Sequence, residues 1–507
     1  MIEQGRYQPG DRALRADAVI VGSGAAGGMA ALELSRRGLQ VVLLEEGPLL
    51  RTEDMSQRED EMMPRLYQQG GGQMTRDRAI RILSGRGLGG STIHNINLCK
   101  RLPVELLEMW AREQPVSGLS VVDLDPVFAS VEADLAVTEI PAEDRNANNR
   151  VLERGVSALG WRGGALWHNR VGCQGTGFCE LGCPYDGKQN SAKVLIPEAH
   201  RRGAHVVTDA RVDLVKHDGR EARGVEAMVL GEDGQPHGRL YVEAGAVVLA
   251  GSAIGSAVLV GRSRLPDPYW RAGRGLSLHP GVAVAGLFDE RIEGYQGIPQ
   301  SYECTELLDH APRSDRKIWI TTAFAHPIGA AAMLSGFGTA HRSWMKQYSH
   351  LAVLTAMLHD EPVGHVGVRP DGLPRVSYQL DRNACEQLSR GIRGCARLLF
   401  AGGARRVLVP HVPMLELSDP RALDRLSADL VHPHSVPITS VHPLGTLPLG
   451  DDPRRAVVRS DGEHHQIRRL FVLDGSLFPT SLGVPPQLSI YALARHLSPF
   501  VADRAAH

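Results

Sequence analysis

An excess of either charge is missing from this chain of 507 residues, in which 56 Lys and Arg stand against 57 Asp and Glu for a net charge of −1. Nothing in that balance favours a nucleic-acid partner or the steering of a charged substrate. Aromatic residues are few, at 5%, in a composition otherwise ordinary for a globular protein. An apolar leader is also lacking. The opening MIEQGRYQPGDRALRAD holds no hydrophobic segment, so no secretory signal is expected and the chain reads as cytoplasmic. Long hydrophobic runs are broken wherever they begin. Residues 244–261 lack formal charge but contain Gly245, Gly251, Ser252, Gly255 and Ser256, and read as a buried strand, a glycine turn and a helix. Residues 318–341 enclose His326 and are interrupted by Pro327, Gly329, Gly336 and Gly338, which suits a pocket lining. No transmembrane segment is expected. Internal repeats and low-complexity tracts are absent.

The length suffices for two or three domains and a large core. Residues 18–28 read AVIVGSGAAGG. Ala18, Val19, Ile20 and Val21 form a short apolar run with β-branched residues, the pattern of a buried strand. Gly22, Gly24 and Gly27 then give G-x-G-x-x-G. The following GMAALELSRRG is rich in helix formers and stops at Gly38. A second apolar run, Val41 with Val42, Leu43 and Leu44, ends on Glu45 and Glu46. Strand, glycine turn, helix, strand and carboxylate, in that order, make a dinucleotide-binding unit. The first glycine permits the turn, the second admits a pyrophosphate, and the third lets the helix pack on the strand. Amides at the helix N-terminus face the anion. Glu45, at the tip of the second strand, is placed to accept hydrogen bonds from a ribose, and Glu46 reads as its solvated neighbour.

The seven cysteines are Cys99, Cys173, Cys179, Cys183, Cys304, Cys385 and Cys395. Disulfides are not expected in a chain without a secretion signal. Three of the thiols sit in GCQGTGFCELGCPYDGK as C-x5-C-x3-C, among glycines that would let a loop wrap a small object, with a proline after the last. Zinc is less attractive, because no histidine with ligand spacing follows. The spacing leaves two readings open: an iron–sulfur loop, or a tight glycine-rich loop without metal. Further on, SVHPLGTLPLGDDP places His442 in a turn bounded by proline and glycine. A buried strand is expected to end at Asp474, and PPQLSIYALARHL reads as a helix with Pro486 in its first turn. An acid, a loop and a helix N-terminus repeat the arrangement at residues 22–45, and could hold the middle of an extended dinucleotide. PAEDRNANNR, 141–150, reads as a surface loop, and HDGREARG and LGEDGQPHGR as hairpin turns.

Together these segments resemble the glucose–methanol–choline (GMC) family of FAD oxidoreductases, over nearly the whole chain. GRGLGGSTIHNINLCKRLP, 85–103, is similar to the family's loop beside the flavin, matching at Gly89, Gly90, Ser91, Thr92 and Asn95. His94 and Cys99 fall where the family usually has apolar or aromatic residues. AGSAIGSAVLVGRS is a partial match to a second signature, with Gly255 and Arg262 as departures. The resemblance implies an α/β fold with a Rossmann-like FAD-binding domain, here residues 1–105, 190–280 and 436–507. It also implies an α+β substrate domain on an antiparallel sheet, residues 106–189 and 281–435, including the cysteine loop. FAD would lie against Gly22, Ser23, Gly24, Ala25, Ala26, Gly27, Glu45, Gly85, Arg86, Gly89, Gly90, Ser91, Asn95, Ile96, Val212, Asp474, Gly475, Pro486 and Gln487.

The implied reaction is oxidation of an alcohol, with hydride passing to flavin N5 and His442 as the base that takes the hydroxyl proton, a role its titration range suits. One departure is serious. The family usually has Asn or His just before the proline that opens the last helix, and here that residue is Pro485, which offers no side-chain donor or acceptor. Gln487 and Ser489 are the nearby candidates for the missing catalytic partner. The cysteine loop resembles that of the family's bacterial FAD-dependent glucose dehydrogenases, which implies a [3Fe–4S] cluster on Cys173, Cys179 and Cys183. Plant long-chain alcohol oxidases have a related loop, and HRSWMKQYSHLAVLTAMLHDEPVGHV is similar to them too.

The expected partners are therefore a small-molecule alcohol and an external electron acceptor, a protein or quinone reached through the cluster. The alternatives are an oxidase using O₂, a sugar dehydrogenase, and a non-catalytic flavin-retaining scaffold that Pro485 keeps open. Substrate polarity has its own signal. IWITTAFAHPIGAAAMLSGFGTAH supplies Trp319, Phe324, Ile328, Met333, Leu334 and Phe337, and no charged residue before Arg342. A sugar site needs fixed donors and acceptors, because each unpaired hydroxyl costs about 1–3 kcal/mol on burial. A largely apolar alcohol is expected; the alternative is that these residues only fill the core beneath the sheet.

Overall fold

Two sheets carry the structure, a computed structural model in which residues 2–114, 116–311, 314–323, 325–427 and 429–506 are described. The first is a mixed sheet of 8 strands. β1 (Arg12–Val21) turns wholly apolar after Asp17, and its Ala18, Val19 and Ile20 are fully buried. It runs parallel to β2 (Val41–Leu44), which runs parallel to β3 (His205–Thr208). On its other side lies β4 (Pro236–Leu249), also parallel, and β5 (Leu470–Val472) pairs in parallel with the end of β4. The antiparallel strands Ala222–Leu230 and Ala210–His217 extend the sheet through hairpins at the two turns read from the sequence. Register brings the carboxyl ends to one level: Val21 lies opposite Leu44 and Leu249, and Leu249 opposite Val472. Ligands of open parallel sheets bind at that edge.

α1 (Ala25–Arg36) leads from β1 toward β2, and α2 (Ser252–Arg262) follows β4 after Gly251. α3 (Gln487–Ala505) packs beside α1. Small residues make this fit. A Cβ on Gly27 would run into the Gly22 carbonyl oxygen, and one on Gly22 into that of Ala250. Gly22 also has φ +96°, which glycine alone adopts without cost.

The second sheet has 9 strands, and its main path is antiparallel. At its centre are Gly281–Leu287, Leu351–Leu358 and Ile318–Thr322. Alternation sorts the faces. Ala352, Leu354 and Ala356 share a core with Ile392, Cys395 and Leu399 of the helix Arg382–Ala401. Leu351, Val353, Thr355 and Met357 point the other way, onto a cavity. The strands Ile80–Ile82 and Ile438–Ser440, from segments assigned by resemblance to the nucleotide unit, pair with each other, and Thr439 joins this second sheet at Gly281.

One sequence expectation changes. Residues 141–150 are not simply a surface loop. A helix, Ala147–Leu159, begins there with Asn146 as its cap, and Asn149 is buried because its side-chain oxygen accepts the Ser301 and Tyr302 amides. The segment 318–345, whose part up to 341 reads as a pocket lining, holds a strand and two short helices, Pro327–Met333 and Gly338–Met345. Among the described residues no helix is long and apolar enough to cross a membrane.

Candidate active site

A single cavity of ≈ 1040 Å³ runs from the glycine turn, along the carboxyl ends of the parallel strands, to the inner face of the second sheet. Of the residues expected to hold a dinucleotide, Gly22, Ser23, Gly24, Ala25, Ala26, Glu45, Gly85, Gly90, Ser91, Asn95, Ile96, Val212, Asp474, Gly475, Pro486 and Gln487 line it. Gly27, Arg86 and Gly89 are not on its wall. Gly27 is spent on packing, Arg86 donates its amide to the Leu66 carbonyl, and Gly89 donates its amide to Ser23 Oγ at 2.9 Å. The cradle fits a dinucleotide. α1 has no side-chain cap at Gly24, and a Cβ there would meet nothing within 4 Å. Open room thus lies before the unpaired amides of a helix N-terminus.

The carboxylates do more than the sequence suggested. Glu45 Oε2 accepts Ser23 N at 3.2 Å and Ser23 Oγ at 2.6 Å, while Oε1 accepts Gly47 N at 2.9 Å and Gly87 N at 3.2 Å. All its lone-pair directions are engaged by the chain, so it braces the glycine turn against the 85–95 loop. Burial pushes its carboxyl up, and Glu46 adds to that. Glu46 is not simply solvated: it is half-buried on the cavity wall and accepts from Gln68 Nε2. Asp474 accepts Ser256 Oγ at 2.5 Å and Ser476 N at 2.9 Å.

His442 follows the strand Ile438–Ser440, is half-buried, and lines the cavity beside Pro485. Burial and the neighbouring His279 hold its ring well below the usual imidazole range, so it is neutral. His279 Nδ1 lies 3.3 Å from His442 Nδ1, with the rings edge to face. In the sequence His279 has one signal, its place before Pro280 in a turn that follows Leu276 and Leu278. Neither proposed partner of His442 fills the gap left by Pro485. Gln487 Oε1 accepts from Asn95, and its Nε2 donates to Asn169 Oδ1 at 3.1 Å and Leu98 O at 3.3 Å. That side chain ties the start of α3 to the 85–95 loop. Ser489 is fully buried and off the cavity wall.

The cysteine loop is held by cations of the chain itself. Among the described residues no three His, Cys, Asp or Glu side chains gather as a metal-holding group, so Cys173, Cys179 and Cys183 do not form the expected ligand set. Cys173 is exposed and its sulfur accepts from Arg170 and from Gly175 N, each at 3.4 Å. Lys188 is buried, and its ammonium donates to Ile93 O at 2.8 Å, Asn95 O at 2.5 Å and Cys179 O at 2.9 Å. Three donors meet three carbonyls, and the cysteine loop is pinned to the flavin-side loop without metal. The Cys-x5-Cys-x3-Cys spacing could not show this, because the deciding residue lies outside it.

Glu180, from the same loop, lines the cavity, and burial raises its carboxyl to about 7 against the opposing pull of Lys188. Between pH 4.5, its ordinary value, and about 7 only the unfolded chain releases this proton, so folded stability falls as pH rises through that window. Glu180→Gln is expected to remove this slope. Thermal unfolding of both proteins from pH 5 to 7.5 checks it; parallel curves would show that the folded state does not perturb Glu180.

The far arm is largely apolar, with Thr355, Asn148 and Tyr348 among its polar members. Ala283, Ala285, Leu351, Val353, Met357, Leu408 and Met414 line it from the second sheet, with Met333 and Leu334 beside them. Of the six residues named from the sequence, Ile328, Met333 and Leu334 are on the wall. Trp319 is fully buried and donates its indole N–H to Glu303, Phe337 is exposed, and Phe324 lies outside the described residues. The helix Pro327–Met333 is fastened across the arm by Glu59, which accepts Ile328 N at 2.7 Å and Gly329 N at 2.9 Å.

Residues 63–281 and 361–494 match the family models of the GMC oxidoreductase N- and C-terminal regions. A Mycobacterium tuberculosis protein described as an uncharacterized GMC-type oxidoreductase is 34% identical over 490 residues, 95% of this chain and 75% of its own. The chain belongs to the GMC oxidoreductase family. Within that family, an Arabidopsis thaliana long-chain-alcohol oxidase is 27% identical over 523 residues, 97% of this chain and 69% of its own. In fold, the GMC chain is similar to pyridoxine 4-oxidase from Mesorbium loti, with a TM-score of 0.73 at 19% identity, covering 96% of this chain and 98% of that one. Residues 17–56 match an FAD binding domain, so the dinucleotide of this GMC enzyme is FAD.

Proposed function

We propose that this GMC oxidoreductase oxidises a largely apolar alcohol at the junction of the cavity's two arms. The observation that carries the reading is the continuity of the apolar arm with the wall that holds His442 and Pro485. FAD, when bound, supplies the acceptor for the hydride lost from the carbinol carbon. The chain's own residues do the rest. The glycine turn and the amides of α1 hold the cofactor's anionic middle, and Glu45 keeps that turn and the 85–95 loop in register. His442 is the side chain that meets the hydroxyl oxygen. Leu351, Val353 and Met357 take the hydrocarbon and exclude water. The relative described as a long-chain-alcohol oxidase supports both an apolar substrate and O₂ as acceptor over a protein or quinone. The reading does not call on the cysteine loop, whose thiols are not gathered as a metal-holding group among the described residues.

Burial is worth about 0.8 kcal/mol per methylene, so kcat/KM should rise roughly fourfold for each CH₂ added to a primary alcohol until the arm is full. A homologous series from ethanol to dodecanol, with glucose as control, measures this. A flat series, or glucose outperforming octanol, would sink the apolar-substrate reading. Equal rates with O₂ and with an artificial acceptor under argon would remove the preference for O₂.

A further inference from the structure

Hydrogen bonds around His279 determine where the proton of His442 sits. His279 Nε2 receives two backbone amides, Leu482 N at 3.2 Å and Gly483 N at 3.1 Å. Amides only donate, so that nitrogen presents its lone pair and carries no proton. Burial lowers the His279 pKa to about 3, so the ring is neutral and its single proton is on Nδ1. That Nδ1–H faces His442 Nδ1 at 3.3 Å. His442 Nδ1 must accept, and the proton of its own neutral ring is then on Nε2, on the edge away from His279.

The surroundings leave His279 no other arrangement. Its backbone sits at φ +48°, a left-handed conformation that side chains adopt only where neighbours impose it. Asp360 imposes it, accepting Leu278 N at 2.8 Å and His279 N at 3.2 Å. The same carboxylate accepts Tyr378 Oη at 2.7 Å and Ser481 Oγ at 2.8 Å, which fixes the chain just before the two amides that hold His279 Nε2. Turning the ring would strand both amides in a buried site, at about 1–3 kcal/mol each. Protonating His442 instead would set one N–H against another.

We infer that His279 is a positioning residue that makes His442 present a proton, rather than a lone pair, to the substrate oxygen. The inference rests on the proposed alcohol chemistry only for what that oxygen belongs to. In this tautomer His442 holds the oxygen of the alcohol by donating Nε2–H to it, and the hydroxyl proton stays on the alcohol. Taking the hydroxyl proton at Nε2, the role drawn from the family resemblance, requires His442 to release its bond to His279 first. A donor at this one point also suits a site where Pro485 offers no second one.

The test is ¹⁵N-histidine NMR on the FAD-loaded protein at pH 7.5, with the His442 ring identified by its absence in His442→Ala. The expected signature is a neutral ring with Nδ1 bare and Nε2 protonated. A ring with its proton on Nδ1, or a doubly protonated ring, would overturn the inference. Two variants separate tautomer control from simple support. His279→Asn can still donate toward His442 Nδ1 and should keep the signature. His279→Gln can still accept the Leu482 and Gly483 amides but offers no donor at that point, and should give a mixture of tautomers. A wild-type signature in folded, FAD-loaded His279→Gln would leave His279 a structural role alone. If that variant loses FAD, the wild-type spectrum decides by itself. The expected signature in a protein whose flavin no alcohol reduces would count against the proposed substrate and not against the tautomer.

Discussion

His442→Ala is expected to leave FAD bound and to slow flavin reduction by alcohol about 10²-fold or more. The expectation holds whether the ring gives or takes a proton, since alanine can do neither. The fold should tolerate the loss. The backbone after His442 is pinned independently, by Leu444 N on Ser277 O and Gly445 N on Gly475 O, each at 3.0 Å. The cofactor's contacts at the glycine turn lie elsewhere on the wall. Anaerobic mixing of the FAD-loaded variant with excess alcohol, followed by flavin bleaching in a single turnover, isolates the step. An unchanged rate would take His442 out of the chemistry.

Gly24→Leu should produce a folded protein that cannot hold FAD. Its neighbours Gly22 and Gly27 are different cases, because a Cβ on either would strike backbone. At Gly24 φ is −62° and the added carbon would meet no protein atom, so the side chain would stand in the room before the amides of α1. Charge-assisted hydrogen bonds to an anion are worth about 1.5–3 kcal/mol each. Blocking two of them weakens binding roughly 10³-fold. The ratio of flavin to protein absorbance after purification reads the loss, and circular dichroism confirms the fold. A folded variant carrying a full complement of FAD would show that the pyrophosphate lies elsewhere.

The nucleotide half of the molecule was legible because its determinants are local. Ala18, Val19 and Ile20, the spaced glycines and the acid after Leu44 each constrain a few consecutive residues, and the sheet follows from them. What escaped depends on partners distant in the chain. That Glu45 also braces the turn could not be read, because Ser23, Gly47 and Gly87 converge on it only in the fold. Asn148 and Asn149 read as loop residues because their burial is compensated by groups more than 140 positions away. The apolar arm was legible in part: Ile328, Met333 and Leu334 line it and Trp319 is core, while Leu351, Val353 and Met357 also alternate onto the cavity, a period-two signal within a segment noted only for its resemblance. Lys188 and His279 carry no motif at all. Their roles come from carbonyls and amides, which sequence does not mark.

The place of β5 in the first sheet has a consequence for how the enzyme is made. β5 pairs with β4 only after residue 472 exists, and Asp474, Pro486 and Gln487 on the cavity wall come later still. The glycine turn, at residues 22–27, waits for residues 470–487, the segment that completes its pocket. A nascent chain therefore carries an open half-site until residue 487 has been made, and the full cradle for FAD exists only after that point.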